Sequence, residues 1–101
     1  MFIHTVFFWL KEKDNDDART ALHEGLKELS EISGIQAGYV GTPASTRRAV
    51  IDHTYDFSIT FMFPDKATQD DYQVHPDHLK FVDKCAGLWG EVKVYDMVTS
   101  D

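Results

Sequence analysis

Apolar residues alternate at the start of this chain, then recur every third or fourth position, and alternate again further on. That change of period sets out the elements. Phe2 to Leu10 is rich in aromatic and β-branched residues and predicts a strand. One face carries Phe2, His4, Val6, Phe8 and Leu10, the other Ile3, Thr5, Phe7 and Trp9. Apolar groups on both faces predict that both are covered. Asp14 to Ile32 predicts a helix, with Asp14 or Asn15 as cap and Ala18, Leu22, Leu26, Leu29 and Ile32 as its buried stripe. Gly34 supplies a left-handed stop.

Ile35 to Val40 predicts a second strand, loosened by Gly38 and Gly41, and Thr42 to Thr54 a polar connection. At about a dozen residues it is long for a compact domain, as functional loops often are. Tyr55 to Phe63 alternates most cleanly, with Tyr55, Phe57, Ile59, Phe61 and Phe63 on one side. Pro64-Asp65 ends it. A short helix is predicted over Lys66 to Tyr72, and another over Pro76 to Ala86 with Leu79, Val82 and Ala86 inward. Trp89 to Val98 predicts the last strand, with Val92, Val94, Asp96 and Val98 on one face.

The order β-α-β, β-α-β predicts one domain over residues 1–101 of the α+β class. Its architecture is the ferredoxin-like one, a four-stranded antiparallel sheet with helices on one face. Helices cover only one face of such a sheet, so Ile3, Phe7 and Trp9 need another partner. A second copy related by a two-fold axis is the simplest cover.

Composition narrows the partners. A 43% hydrophobic and 13% aromatic chain has ample material for a core, which argues against disorder. A formal charge of −7 and a pI near 5.0 disfavour nucleic acid and anionic membranes, and Arg47-Arg48 is the one basic doublet. The single cysteine, Cys85, forms no internal disulfide, so a reducing cytoplasm is the expected compartment. The opening apolar stretch has no basic residues before it and no small-residue cleavage site, so it does not read as a signal peptide.

Candidate chemistry gathers in Tyr72-Gln-Val-His-Pro-Asp-His78. Pro76 suits the first position of a helix, and the residue before a proline is pushed out of the α region. His75 therefore reads as a cap. His78 falls in the first turn, where the helix dipole disfavours an imidazolium. A neutral imidazole beside a phenol forms an acid/base pair. The plain alternative is a capping-region histidine and a core tyrosine. His4 and Asp96 sit on faces lined by valines and aromatics, where a buried carboxylate needs a partner. A His4–Asp96 hydrogen bond across adjacent strands satisfies both groups.

These residues resemble the stress-responsive dimeric α/β-barrel (Dabb) domain over essentially the whole chain. The resemblance rests on His4 in Ile-His-Thr-Val-Phe-Phe, on Tyr55-Asp-Phe-Ser-Ile-Thr-Phe, on Tyr72 to His78, and on Val94-Tyr-Asp96. It implies a homodimer whose two sheets roll into a shared barrel, with a pocket in each subunit between sheet and helices. A plant polyketide cyclase of this family performs an intramolecular aldol condensation. Its tyrosine and histidine correspond by motif to Tyr72 and His78, and His4 and Asp96 align with pocket positions. Several relatives carry a further pocket histidine where this chain has Phe57, which implies a more apolar pocket or a different ligand.

Two classes of function follow. One is proton-transfer catalysis on a small apolar carbonyl compound, with His78 as base, Tyr72 as oxyanion donor, and His4, Asp96, Phe57, Trp89 and His75 as pocket or supporting residues. The other is a non-catalytic, stress-related dimer holding a small hydrophobic or aromatic ligand in the same pocket. A cofactor-independent monooxygenase is a weaker third reading. Zinc is a rival, since His75 and His78 are three apart, but a cap points them in different directions and zinc wants three or four ligands. No metal or cofactor is therefore expected. Cys85 falls inside a helix with no histidine nearby in sequence, which disfavours a nucleophile.

Overall fold

The first strand, β1 (Phe2–Leu10), occupies an interior position of a four-stranded antiparallel sheet in the computed structural model, which describes residues 1–100. The remaining elements are α1 (Asp16–Leu29), β2 (Ala37–Gly41), β3 (Phe57–Phe63), α2 (Lys66–Gln73), α3 (Pro76–Cys85), a 3-10 turn (Ala86–Leu88) and β4 (Trp89–Val98). The strands lie in the order β2-β3-β1-β4, so β2 and β4 are the edges. This is the ferredoxin-like arrangement the order of elements predicts.

Alternation in β1 and β3 turns Phe2, Val6, Phe8, Phe57, Ile59, Phe61 and Phe63 onto α1 and α3. From α1, Ala18, Leu22, Leu26 and Leu29 fill the facing layer. Leu22 and Leu26 are completely buried, each favouring the fold by about 2 kcal/mol. Gly25 lies on the same stripe where α1 and α3 meet. A Cβ there would stand 2.8 Å from Cys85 Sγ and 3.3 Å from the Phe81 ring, so the absence of a side chain sets how closely the helices approach.

The caps fix where α1 begins. Asn15 accepts from the Ala18 N–H at 3.0 Å, which resolves the choice between Asp14 and Asn15. The helix stops at Leu29, three residues earlier than predicted, yet Ile32 stays buried beyond it. Gly34 takes φ +98°, the left-handed turn that leads into β2. That strand starts at Ala37, two residues after the predicted start.

Three expectations need correction. Tyr55 lies outside β3 and packs on Phe7, on the sheet face away from the helices, rather than beside Phe57. Asp56 is the reason: its N–H bonds to Phe8 O at 2.8 Å, while its buried carboxylate takes the Leu10 N–H, Lys13 and Arg19 at 2.8, 2.6 and 2.7 Å. Burial opposes ionisation of Asp56, but these donors outweigh it and hold the carboxyl below its usual range. Secondly, α3 buries Phe81 and Cys85; Leu79, Val82 and Ala86 are exposed. Thirdly, the helices stop short of the β4 edge, so Val92, Val94 and Val98 stay exposed on the helix side and Asp96 is 44% exposed. No helix among the described residues is long and apolar enough to cross a membrane.

Candidate functional site

The turn between α2 and α3 is built by Pro76. His75 before it is extended (φ −62°, ψ 138°), as the proline ring requires, and caps α3 by accepting the Asp77 N–H on Nδ1 at 3.0 Å. That bond occupies His75, which stays outside the cavity that His78 lines. His78, inside the first turn, points the other way. Its ring lies 4.8 Å from that of Tyr72, which projects from the end of α2 and is 2% exposed. The His4 ring approaches Tyr72 edge-on from β1 at 5.8 Å. These three polar side chains share the wall of a cavity of about 140 Å³ between α3, β1 and β4. Apolar groups complete it, among them Val6, Phe8, Phe81, Trp89, Val92 and Val94.

Burial sets the protonation of the pair. It pushes the Tyr72 phenol well above its ordinary value, so the hydroxyl stays protonated. It also pushes His78 down, helped by the proximity of His4 and opposed by the Gln73 carbonyl. His78 is therefore mainly neutral at pH 7. Its Nδ1 is buried with no hydrogen-bond partner, and among the described residues the Tyr72 hydroxyl makes no hydrogen bond either. Two free polar atoms thus meet one apolar cavity.

His4 is differently placed. Its Nδ1 lies 2.6 Å from Asp96 Oδ1, in the register that sets His4 opposite Asp96 across β1 and β4. A carboxylate only accepts, so the His4 Nδ1–H donates. The bond fixes the orientation of the His4 ring as it enters the cavity wall.

Trp89 lines the cavity and stacks on Phe81 at 5.7 Å and 25°. Phe57 does not line it: it is buried under α1, stacked by His23 at 5.4 Å and approached by Arg19 at 5.6 Å. Sequence reasoning missed Phe81, Gln73 and Val82 as wall residues. Phe81 follows His78 by three, one helical turn, and that spacing was the available signal. A larger groove of about 490 Å³ between α1 and α3 is edged by Glu28, Glu31, Lys80 and Lys84 and holds none of the Tyr72–His78–His4 group. Among the described residues no three His, Cys, Asp or Glu side chains converge as a metal centre needs.

Solved structures share this architecture. A Dabb family protein with a ferredoxin-like fold from Mesorhizobium loti is 28% identical over 99% of this chain and 97% of its own, with a TM-score of 0.78. A dimeric ferredoxin-like protein of unknown function from Thermobifida fusca is 17% identical over 97% of this chain and 90% of its own, with a TM-score of 0.77. An antibiotic biosynthesis monooxygenase is 14% identical over the full length of both chains, with a TM-score of 0.73. The last two likenesses speak to fold alone. No curated protein matches the chain. The model of the stress responsive A/B barrel domain, Dabb, matches residues 2–99, and the chain belongs to that family.

Proposed function

We propose that the chain forms a homodimer through the open face of its sheet and uses the Tyr72–His78 cavity for acid/base chemistry on a small, neutral, largely apolar carbonyl compound. The observation that carries this reading is the unpartnered, buried Nδ1 of His78 beside the free Tyr72 hydroxyl. Buried polar atoms are normally paired, and those that are not await a partner. His78, mainly neutral, removes a proton next to the carbonyl. Tyr72, held protonated, donates to the oxygen as it becomes an enolate. His4, steadied by Asp96, supports the polar end of the wall. The cavity wall contains no Lys or Arg, which favours a neutral ligand over an acid.

The cavity's size supports a small ligand. At about 140 Å³ it compares with cavities that take a single benzene-sized ring. For the dimer, Ile3, Phe7 and Trp9 are only half-buried on the open face, with Tyr95 and Met97 exposed beside them. The Thermobifida fusca protein is described as dimeric.

A second reading is a stress-related dimer that holds such a ligand without converting it. It is favoured by one detail: the carboxylate of the site bonds to His4, so His78 has no acid to orient it. A thermal-shift screen of small carbonyl and phenolic compounds, run on wild type and His78→Ala, tests the pocket. Turnover of a hit, abolished in His78→Ala while the dimer persists, supports catalysis. Affinity that changes modestly with no conversion supports the binding reading, and oxygen consumption with electron-rich phenols would support monooxygenase chemistry instead. A library without hits overturns the proposed ligand class.

A further inference from the structure

The cavity opens at the β4 edge, where the helices end. Val82, Val92 and Val94 form its rim, and Val94 is 52% exposed. Beside them Asp96 uses Oδ1 on His4, and Oδ2 has no bond among the described residues. An apolar rim with a half-used carboxylate suits a cover that is apolar at its tip and basic beside it.

The chain carries such a segment between β2 and β3, and its far end lies across the open face of the same copy, where Thr54 accepts from Trp9 Nε1 at 2.9 Å and Asp52 shares a cavity with Lys93 and Tyr95. Residues 42–54 have no regular structure and leave β2 at Gly41. Within them the Ile51 N–H bonds to Arg48 O at 2.9 Å, closing a turn with Val50 at its apex. Val50 is 86% exposed, more than any other large hydrophobic residue. Arg48 has no ion pair or side-chain hydrogen bond among the described residues, and with Arg47 it is the only basic doublet in a chain of net charge −7.

Within one copy this segment runs from the β2 edge onto the open face, and Val50 stays exposed rather than seated on the cavity rim of the helix side. Three strand spacings, roughly 14 Å, separate β2 from β4. Two sheets paired face to face about a two-fold axis along the strands bring β2 of each copy beside β4 of the other. The level also agrees. Gly41 pairs with Ser58, Ser58 with Phe7, and Phe7 with Lys93, so the segment emerges between Val92 and Val94.

We propose that residues 42–54 of each copy close the other copy's cavity. Val50 of the partner subunit then seats against Val82 and Val94, and Arg48 of the partner subunit pairs with Asp96. The cavity is thereby a composite site, complete only in the dimer. This rests on the dimer and pocket proposed above, and its test is independent of any ligand.

Val50→Cys and Val94→Cys replace exposed side chains, and Cys85 is buried, so wild type gives the background. The two single variants are unfolded together, refolded and oxidised. The expected product is a covalent heterodimer on non-reducing gels, absent when either variant is treated alone. Val50→Cys mixed with Val82→Cys or Val92→Cys provides further pairs around the same rim. A folded dimer that cross-links in none of these mixtures overturns the proposal and leaves the pocket standing. A fast-migrating monomer from the Val50→Cys, Val94→Cys double variant assigns the cover to the same copy and overturns it too. A monomeric mass by light scattering removes both this proposal and the dimer beneath it.

Discussion

His4 and Asp96 face one another across β1 and β4, with His4 Nδ1 2.6 Å from Asp96 Oδ1. The histidine side chain is 7% exposed and the aspartate side chain 44%, so the bond joins a buried ring to a group that water still reaches. Removing the carboxylate leaves a buried donor unpaired, while solvent screening limits the value of the charge itself. Asp96→Ala is expected to lower stability by about 1 kcal/mol, and Asp96→Asn, whose amide oxygen still accepts, by less than half of that. Urea denaturation of both variants checks this. Equal losses would mean that charge rather than the hydrogen bond carries the contact.

Tyr72 separates a core role from a pocket role. Its ring packs on Phe61 and Phe63 at 5.9 and 5.2 Å and on His78, whereas its hydroxyl has no partner among the described residues. Tyr72→Phe retains the packing and removes only the free hydroxyl. Its stability is expected to stay within about 0.5 kcal/mol of wild type, because no intramolecular hydrogen bond is lost. Binding of a carbonyl ligand should weaken about tenfold in the same variant, equivalent to one hydrogen bond of about 1.4 kcal/mol. A large loss of stability with ligand affinity unchanged would make Tyr72 a core residue only.

Much of this was legible in the residues because period and punctuation were strong. Alternation in β1 and β3 and the three-and-four spacing of Leu22, Leu26 and Leu29 assign faces without reference to the rest of the fold. Pro76 assigns His75 to the cap and thereby turns His78 the other way. The errors lie where a tertiary contact overrides the local pattern. Tyr55 continues the alternation of β3 in sequence, but the demand of Asp56 for Lys13, Arg19 and the Leu10 N–H breaks the strand before it. On α3 two apolar stripes compete, Leu79–Val82–Ala86 and Phe81–Cys85. Tertiary packing decides for the second, with Phe81 against Phe8 and Trp89 and Cys85 against Gly25. Phe57 reads as a pocket residue by analogy with a histidine position, yet its neighbours are His23 and Arg19 of α1, which no period in β3 reveals.

Gly25 offers a direct test of that helix contact. The methyl of Gly25→Ala would meet Cys85 Sγ at 2.8 Å and Phe81 at 3.3 Å, so α3 must shift or its side chains must leave their rotamers. Overpacking of this kind outweighs the gain in helix propensity and should destabilise the protein by about 1–3 kcal/mol. Gly25→Ala combined with Cys85→Ala removes the closest clash and should recover part of the loss. A single variant as stable as wild type would show that α3 slides freely on α1.

The lowered pKa of His78 ties stability to pH with a definite sign. Burial, then the neighbouring His4, disfavours its imidazolium in the folded protein, whereas the unfolded chain titrates near the ordinary value of about 6.5. Between the folded pKa and that value the unfolded chain binds more protons, so stability rises with pH across this window. The contribution is complete above about pH 6.5 and is lost as pH falls through the folded pKa of His78. Unfolding free energies measured by urea at about pH 7.5 and at about pH 5 should therefore differ more in wild type than in His78→Gln, which removes the titrating group. Any turnover that uses His78 as a base should decline as pH falls through the folded pKa of His78, because its protonated form has no lone pair to accept a substrate proton. Identical pH dependence in wild type and His78→Gln would transfer the effect to another titrating group and remove His78 as the site's titrating base.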